Sequence, residues 1–334
     1  MAAVFRFRSR TWQRLRSKGN ARRASMKVFL LIAIAALVAA GAYYVYLGAR
    51  AYRLEAVDFA PARSASPKHL QPPIETIHWQ LPDGARQRAF YMPSRNGAAI
   101  VYVHGAPGNA AGFEDDARAM AAFGYGALLV DMPGYGASEG KRDWGSAYRQ
   151  SVRAGLEFLQ QRPEIAADRI AGLGYSMGAH TMARVAVTDD RISALVLLAG
   201  FTNLQDHLHV RFQRRVPGMG YFGMAAAAAH GVDVLGMDIE QEVARLDSAP
   251  VLVISGTQDH VIPAAMAETL ADKAPHGELY LIDGAGHAGF AEIAGDEFYR
   301  RIHQFLESAW HAAETTAPTN SRRPNTGEIL HGQV

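Results

Sequence analysis

RIAGLGYSMGAHTMARVAV, residues 169–187, is the stretch that decides the fold. Arg169–Tyr175 is an apolar run of strand length, and Met177–Val187 has the apolar spacing of a helix. Ser176 falls at the joint, inside Gly174-Tyr175-Ser176-Met177-Gly178. A strand ending at a serine, with a helix starting right after it, holds the hydroxyl out on a sharp turn. Glycines on both sides keep side chains out of the crowded backbone. The same G-x-S-x-G pattern recurs at Gly136-Ala137-Ser138-Glu139-Gly140. There the strand ends earlier, at Asp131, and Pro133 and two glycines intervene. Glu139 would also set a negative charge beside an amide that an oxyanion needs. Ser138 is therefore expected to be a loop serine, and Ser176 the nucleophile.

Outward from this stretch, strand-like and helix-like segments alternate. Ile74–Gln80 and Ala89–Met92 read as short edge strands around a Pro-Asp-Gly turn. Ala98–Val103, Tyr125–Val130, Ser193–Ala199, Val251–Ser255 and Glu278–Ile282 read as further strands. Gly112–Phe123, Tyr148–Gln160, Ala264–Lys273 and Glu292–Ala309 read as helices. Near-continuous apolar strands alternating with helices imply an α/β fold: a mostly parallel twisted sheet with helices on both faces, over residues 74–310. Between Gly200 and Pro250 the alternation breaks. Residues 201–249 are expected to form a small helical insert leaving the carboxyl end of a strand. It is either a lid over the ligand crevice or a peripheral excursion.

A serine hydroxyl is a poor nucleophile until a base takes its proton. In the strand–serine–helix arrangement the partners follow later in the chain, acid first and histidine last. The strand Val251–Ser255 runs into Gly256-Thr257-Gln258-Asp259, and the strand Glu278–Ile282 into Gly284-Ala285-Gly286-His287. Asp259 should accept the Nδ1 proton of His287, leaving Nε2 for Ser176. The rivals, His260 and Asp283, lie too close in sequence to their would-be partners. The oxyanion needs two fixed N–H donors. Met177, at the start of its helix, supplies one. Ala106 is expected to supply the other from the loop His104-Gly105-Ala106-Pro107-Gly108-Asn109, since Pro107 has no N–H. His104 is expected to be a structural hydrogen-bonder.

His104–Asn109, Asp131–Gly140, Gly174–Gly178, Gly256–Pro263 and Gly284–His287 occur in this order. As a set they resemble the successive blocks of the α/β-hydrolase superfamily, and most nearly its Bem46-like, ABHD-type, membrane-tethered branch. The resemblance covers roughly residues 74–310. It implies a cofactor-free serine hydrolase; members of that branch act on esters, acylglycerols or thioesters, or have no known substrate. The insert at 201–249 departs from the pattern, so substrate does not carry over.

Before Val28 there are nine Arg and Lys and no Asp or Glu. From Val28 to Ala49 no residue is charged. As a helix this span covers roughly 33 Å, enough to cross a bilayer. The charge imbalance predicts a cytoplasmic N-terminal arm (1–27), a transmembrane anchor (28–49) and an exported domain on the periplasmic or extracytoplasmic side. A cleaved signal peptide ending near Ala39–Ala42 is the alternative, and Met26 is a second possible start. Residues 50–73 read as a linker rich in Ala, Pro and Ser, and 311–334 as a disordered tail. The chain has no cysteine, which excludes disulfides and a thiol nucleophile. Net charge is +2 and the excess sits in the arm, so nothing beyond that arm points to nucleic acid. His207-Leu208-His209 lacks a third metal ligand at familiar spacing.

The function expected is hydrolysis of a carboxylic ester or thioester, a lipid-like acyl substrate among the candidates, with no cofactor. A peptidase or amidase with the same residues, or a non-catalytic membrane-anchored interaction protein on the same fold, are the alternatives.

Overall fold

The apolar runs become eight strands of one sheet. The computed structural model describes residues 2–58, 65–67, 74–213 and 218–316. The strands are β1 (Glu75–Gln80), β2 (Arg86–Met92), β3 (Ala99–Val103), β4 (Gly126–Val130), β5 (Ile170–Tyr175), β6 (Ala194–Leu198), β7 (Val251–Gly256) and β8 (Gly277–Ile282). Their order across the sheet is β1-β2-β4-β3-β5-β6-β7-β8. The pairs β1/β2 and β2/β4 are antiparallel and the remaining pairs parallel. β3, β4, β6 and β7 are buried at every position, as a parallel sheet covered on both faces requires. At the edge, β1 alternates between exposed and half-buried residues.

The helices are α1 (Ala2–Asp58), α2 (Glu114–Ala122), α3 (Ser146–Gln160), α4 (Met177–Ala186), α5 (Leu204–Gln213), α6 (Met219–Ala229), α7 (Ile239–Val243), α8 (Ala264–Lys273), α9 (Phe290–Ala294) and α10 (Asp296–Thr316). Alternate residues of each strand feed two cores. Val101, Leu128, Leu195 and Val253 pack with Val152 of α3, Met182 of α4 and Leu270 of α8. Ile100, Leu129, Val196 and Ile254 pack on the other face with Met120 of α2 and Ile302 and Phe305 of α10.

From β3 the chain turns to β4 on one side and returns to β5 on the other. The strand order thus reverses between β3 and β5, and the crevice at their carboxyl ends is where such sheets bind ligands. The insert leaves β6 at that same end and supplies α5, α6 and α7.

Both ends of the chain are more helical than expected. α1 continues past Ala49 to Asp58, and α10 runs to Thr316. No Pro or Gly interrupts residues 50–58 or 311–316; the breakers begin at Pro61 and Pro318. The rest of the expected linker, apart from 65–67 and Ile74, and the tail from 317 lie outside the described residues.

Candidate active site

Ser176 closes β5 and opens α4 at φ +52° and ψ −113°, a conformation non-glycine residues seldom adopt. Its N–H donates to Leu198 O at 2.9 Å, and its carbonyl starts α4 by accepting from Ala179. The flanking glycines are required sterically. A Cβ on Gly178 would lie 2.0 Å from Val103 O, and one on Gly174 would lie 2.3 Å from Gly178 O. This close approach seats the start of α4 directly over the end of β3.

The second G-x-S-x-G stretch does something else. Ser138 is buried, donates its hydroxyl to Asp131 O at 2.6 Å and accepts from Arg88 N–H at 2.9 Å. Asp131 is fully buried. It takes the Arg88 guanidinium at 2.7 Å and the N–H groups of Ala110 and Ala137 at 2.8 and 3.1 Å. Ser138 therefore ties a loop to β2, away from the crevice.

Asp259 and His287 meet although 28 residues separate them. The His287 Nδ1 to Asp259 Oδ2 distance is 2.8 Å. The other oxygen, Oδ1, accepts from Val261 N–H at 2.7 Å and Ile262 N–H at 2.8 Å. The carboxylate is thereby fixed, and its one open acceptor position goes to the imidazole. An ionised carboxylate only accepts, so Nδ1 carries the proton and Nε2 is left as the basic nitrogen. The two loops are laced together by Gln258 N–H donating to Ala285 O at 2.9 Å. A Cβ on Gly256 would lie 2.1 Å from that oxygen, so only glycine lets them approach. Asp283, the rival acid, instead accepts from the Thr257 hydroxyl at 3.0 Å.

Ser176, Met177, Ala106 and His287 all line one cavity of about 420 Å³ at the sheet's switch point. Trp144, Phe201, Leu204, Leu208, Ala227 and Val261 make its wall largely apolar. Met177 N–H belongs to the first turn of α4 and has no acceptor inside that helix. His104 lies outside the cavity wall. Its Nδ1 sits 2.8 Å from Gly105 O, and its Nε2 accepts from Met132 N–H at 3.1 Å. Burial lowers its pKa, so the ring is a neutral brace between β3 and β4.

The structure brings to the site three side chains to which the sequence assigns no role there. Tyr175 donates to His287 O at 3.0 Å, with its ring 5.2 Å from the imidazole. His207 and Arg211 of α5 reach the cavity from the insert. The sequence signals the residue types but not the helix face they share.

Comparison with known proteins agrees with this architecture. Residues 94–219 match the family described as serine aminopeptidase, S33, and residues 234–292 the family described as alpha/beta hydrolase fold. The chain belongs to the α/β-hydrolase superfamily. A Mycobacterium tuberculosis protein is 28% identical over 282 residues, covering 83% of this chain and 94% of its own. Protein bem46 of Schizosaccharomyces pombe is 24% identical, over 68% of this chain and 74% of its own. Among solved structures, an esterase from Pyrococcus furiosus superposes with a TM-score of 0.63 at 18% identity. That match covers 74% of this chain and 97% of the esterase.

Proposed function

We propose that this α/β-hydrolase chain is a serine hydrolase that cleaves a carboxylic ester or thioester through an acyl-enzyme. The observation that carries the proposal is the bond of 2.8 Å from His287 to a carboxylate whose other oxygen is already spent, with His287 lining the same cavity as Ser176. In this reading His287 Nε2 takes the Ser176 proton as Oγ attacks the acyl carbon. The carbonyl electrons move onto oxygen, where the N–H groups of Ala106 and Met177 receive them. Collapse expels the alcohol or thiol, which leaves with the proton from His287. Water repeats the sequence and frees the acid.

The test is labelling by a fluorophosphonate and turnover of short acyl esters. Ser176→Ala should lose the label, and kcat should fall by several orders of magnitude; His287→Ala should behave alike, and Asp259→Asn less severely. A Ser176→Ala protein with undiminished turnover would sink the mechanism. The S33 description favours peptide amides as a second substrate class, which aminoacyl-amides measured beside the esters would reveal.

We also infer that α1 anchors the domain in a membrane. Ser25–Arg53 is long and apolar enough to cross one, and Leu30, Ile32, Leu37 and Val38 leave much of it exposed. A helix apolar on all sides needs an apolar solvent. The nine basic residues before Val28 put the N-terminus in the cytoplasm and the cavity on the exported side. A periplasmic reporter fused after Val334 should be active; an inactive one with an active cytoplasmic reporter would reverse the orientation.

A further inference from the structure

The insert helix α6 is built unlike a surface helix. Its sequence, MGYFGMAAAAA, holds no charged side chain, and the Tyr221 hydroxyl is its one side-chain oxygen. Met219, Gly220, Gly223, Ala226 and Ala227 are buried, and Ala227 reaches the cavity wall. The stripe Tyr221, Ala225, Ala228 and Ala229 is exposed and just as apolar, with Tyr221 67% exposed. A helix that covers the core of a water-soluble domain carries polar residues on its outer side. The place of α6 is also particular. Phe222, near its start, packs against Gly48 of α1 and lies 6.1 Å from the Tyr44 ring, and His230, just past its end, stacks on Tyr52 at 5.0 Å. The two helices therefore run side by side in the same sense, and the first turn of α6 lies nearest the apolar span. Tyr43, Tyr44 and Tyr46 of α1 stand exposed at that level, and Arg50 reaches back to the Tyr46 hydroxyl at 3.0 Å. Along the helix axis this level is about 10 Å beyond mid-span Leu37.

We propose that the outer face of α6, led by Tyr221, is a second membrane contact that sits at the interface of a lipid bilayer beside the point where α1 leaves it. The proposal rests on the reading of α1 as a membrane anchor and goes beyond it by turning a fixed face of the domain toward the lipid. An aromatic ring with a hydroxyl at one end favours the boundary between hydrocarbon and headgroups, and Tyr221 adds a fourth ring to the three on α1. The apolar surface of the span continues onto α6, so the bilayer that covers one covers the other. Ala227, on the inner side of the same helix, then makes α6 the partition between bilayer and cavity.

The chain has no cysteine, so a single fluorescent label can be placed on the full-length protein. The dye NBD is attached to Leu37→Cys at mid-span, to Tyr221→Cys on α6, and to Ile293→Cys, an exposed apolar position on α9. Each protein is reconstituted, one chain per disc, in nanodiscs of phosphatidylcholine and phosphatidylglycerol, where both leaflets meet solvent. The label at 221 should lose most of its quenching by aqueous iodide. A lipid nitroxide near the headgroup should quench it more than one near the acyl-chain end, as an interfacial depth requires. The label at 37 should show the reverse order, and the label at 293 should be quenched by iodide alone. Thermal unfolding reports whether each variant folds, and Ala225→Cys, on the same stripe, carries the label if Tyr221→Cys does not. A label at 37 quenched by lipid with one at 221 open to iodide rejects this proposal alone. Lipid quenching at neither position rejects the anchor reading with it. Shielding at 221 that appears only with two chains per disc would assign the stripe to a second copy of the chain, and lipid quenching at 293 as well as 221 would mean unspecific adsorption; either overturns the proposal.

Discussion

Gly178 and His180 lie two residues apart on α4 and are constrained in opposite ways. At Gly178 the structure has no space: the Val103 carbonyl would meet any Cβ. Gly178→Ala should therefore cost stability at the upper end of overpacking, about 3 kcal/mol or more, read as a lowered urea midpoint. His180 is fully buried, and both ring nitrogens lack a hydrogen-bond partner. It stacks 6.2 Å from Phe201, on the cavity wall, so it supports the site by shape alone. Replacing an unsatisfied buried polar group by an apolar one of similar volume removes a desolvation cost of about 1–3 kcal/mol. His180→Leu should raise the thermal midpoint; a lower one would show that the imidazole has a partner after all. The glycine pattern is visible in the sequence, because a tight strand-to-helix turn leaves few residue types to choose from. The burial of His180 is not, because its spacing on a helix fits core and surface alike.

At the scale of elements, the decisive contact joins α1 to α6. Leu47 and Ala51 are 3% and 0% exposed, although the apolar span before them is open. Phe222 of α6 fits against Gly48 and lies 6.1 Å from the Tyr44 ring. Tyr52 stacks on His230, just after α6, at 5.0 Å. Ala227 of the same short helix lines the cavity. The end of the apolar helix and one wall of the cavity are thus a single packed unit. Removing residues 1–53 should uncover the half-buried Phe222, costing up to about 1.5 kcal/mol for that side chain, and promote self-association. Size-exclusion chromatography of the truncated chain with and without Phe222→Ser checks this. Unchanged elution of both would mean the contact contributes little. Hydropathy makes each helix readable by itself, but the pairing of two segments about 180 residues apart leaves no local trace.

For the whole molecule, the buried titratable groups set how stability responds to acid. Burial holds His180 and His207 near a pKa of about 3, below the ordinary 6.5. Their depressed values stabilise the fold fully above pH 6.5, and this contribution is lost as pH falls toward 3. Each loses about 1.4 kcal/mol per pH unit. Asp116 runs the other way. Burial raises it to about 6 from 3.8, so its contribution is present at low pH and lost as pH rises through 6. Stability should therefore fall as pH drops below 6.5, with the buried His104 adding to the fall and Asp116 opposing it between about 6 and 3.8. Urea unfolding across pH 7 to 4 measures it, and His207→Phe should remove one proton from the slope. A flat profile would mean that these imidazoles are not desolvated as their burial implies.

What the amino-acid order settles here is local: strand and helix identity, the glycines that let β5 turn into α4, and the sequence of serine, acid and histidine. These follow from side-chain period and backbone sterics, which neighbouring residues impose on one another. What only the folded molecule decides is convergence. The sheet's reversal between β3 and β5 gathers Ala106, Ser176 and His287 at one rim, and the insert turns His207 and Arg211 toward them. Such meetings depend on packing between segments far apart along the chain, and no short-range pattern carries that information.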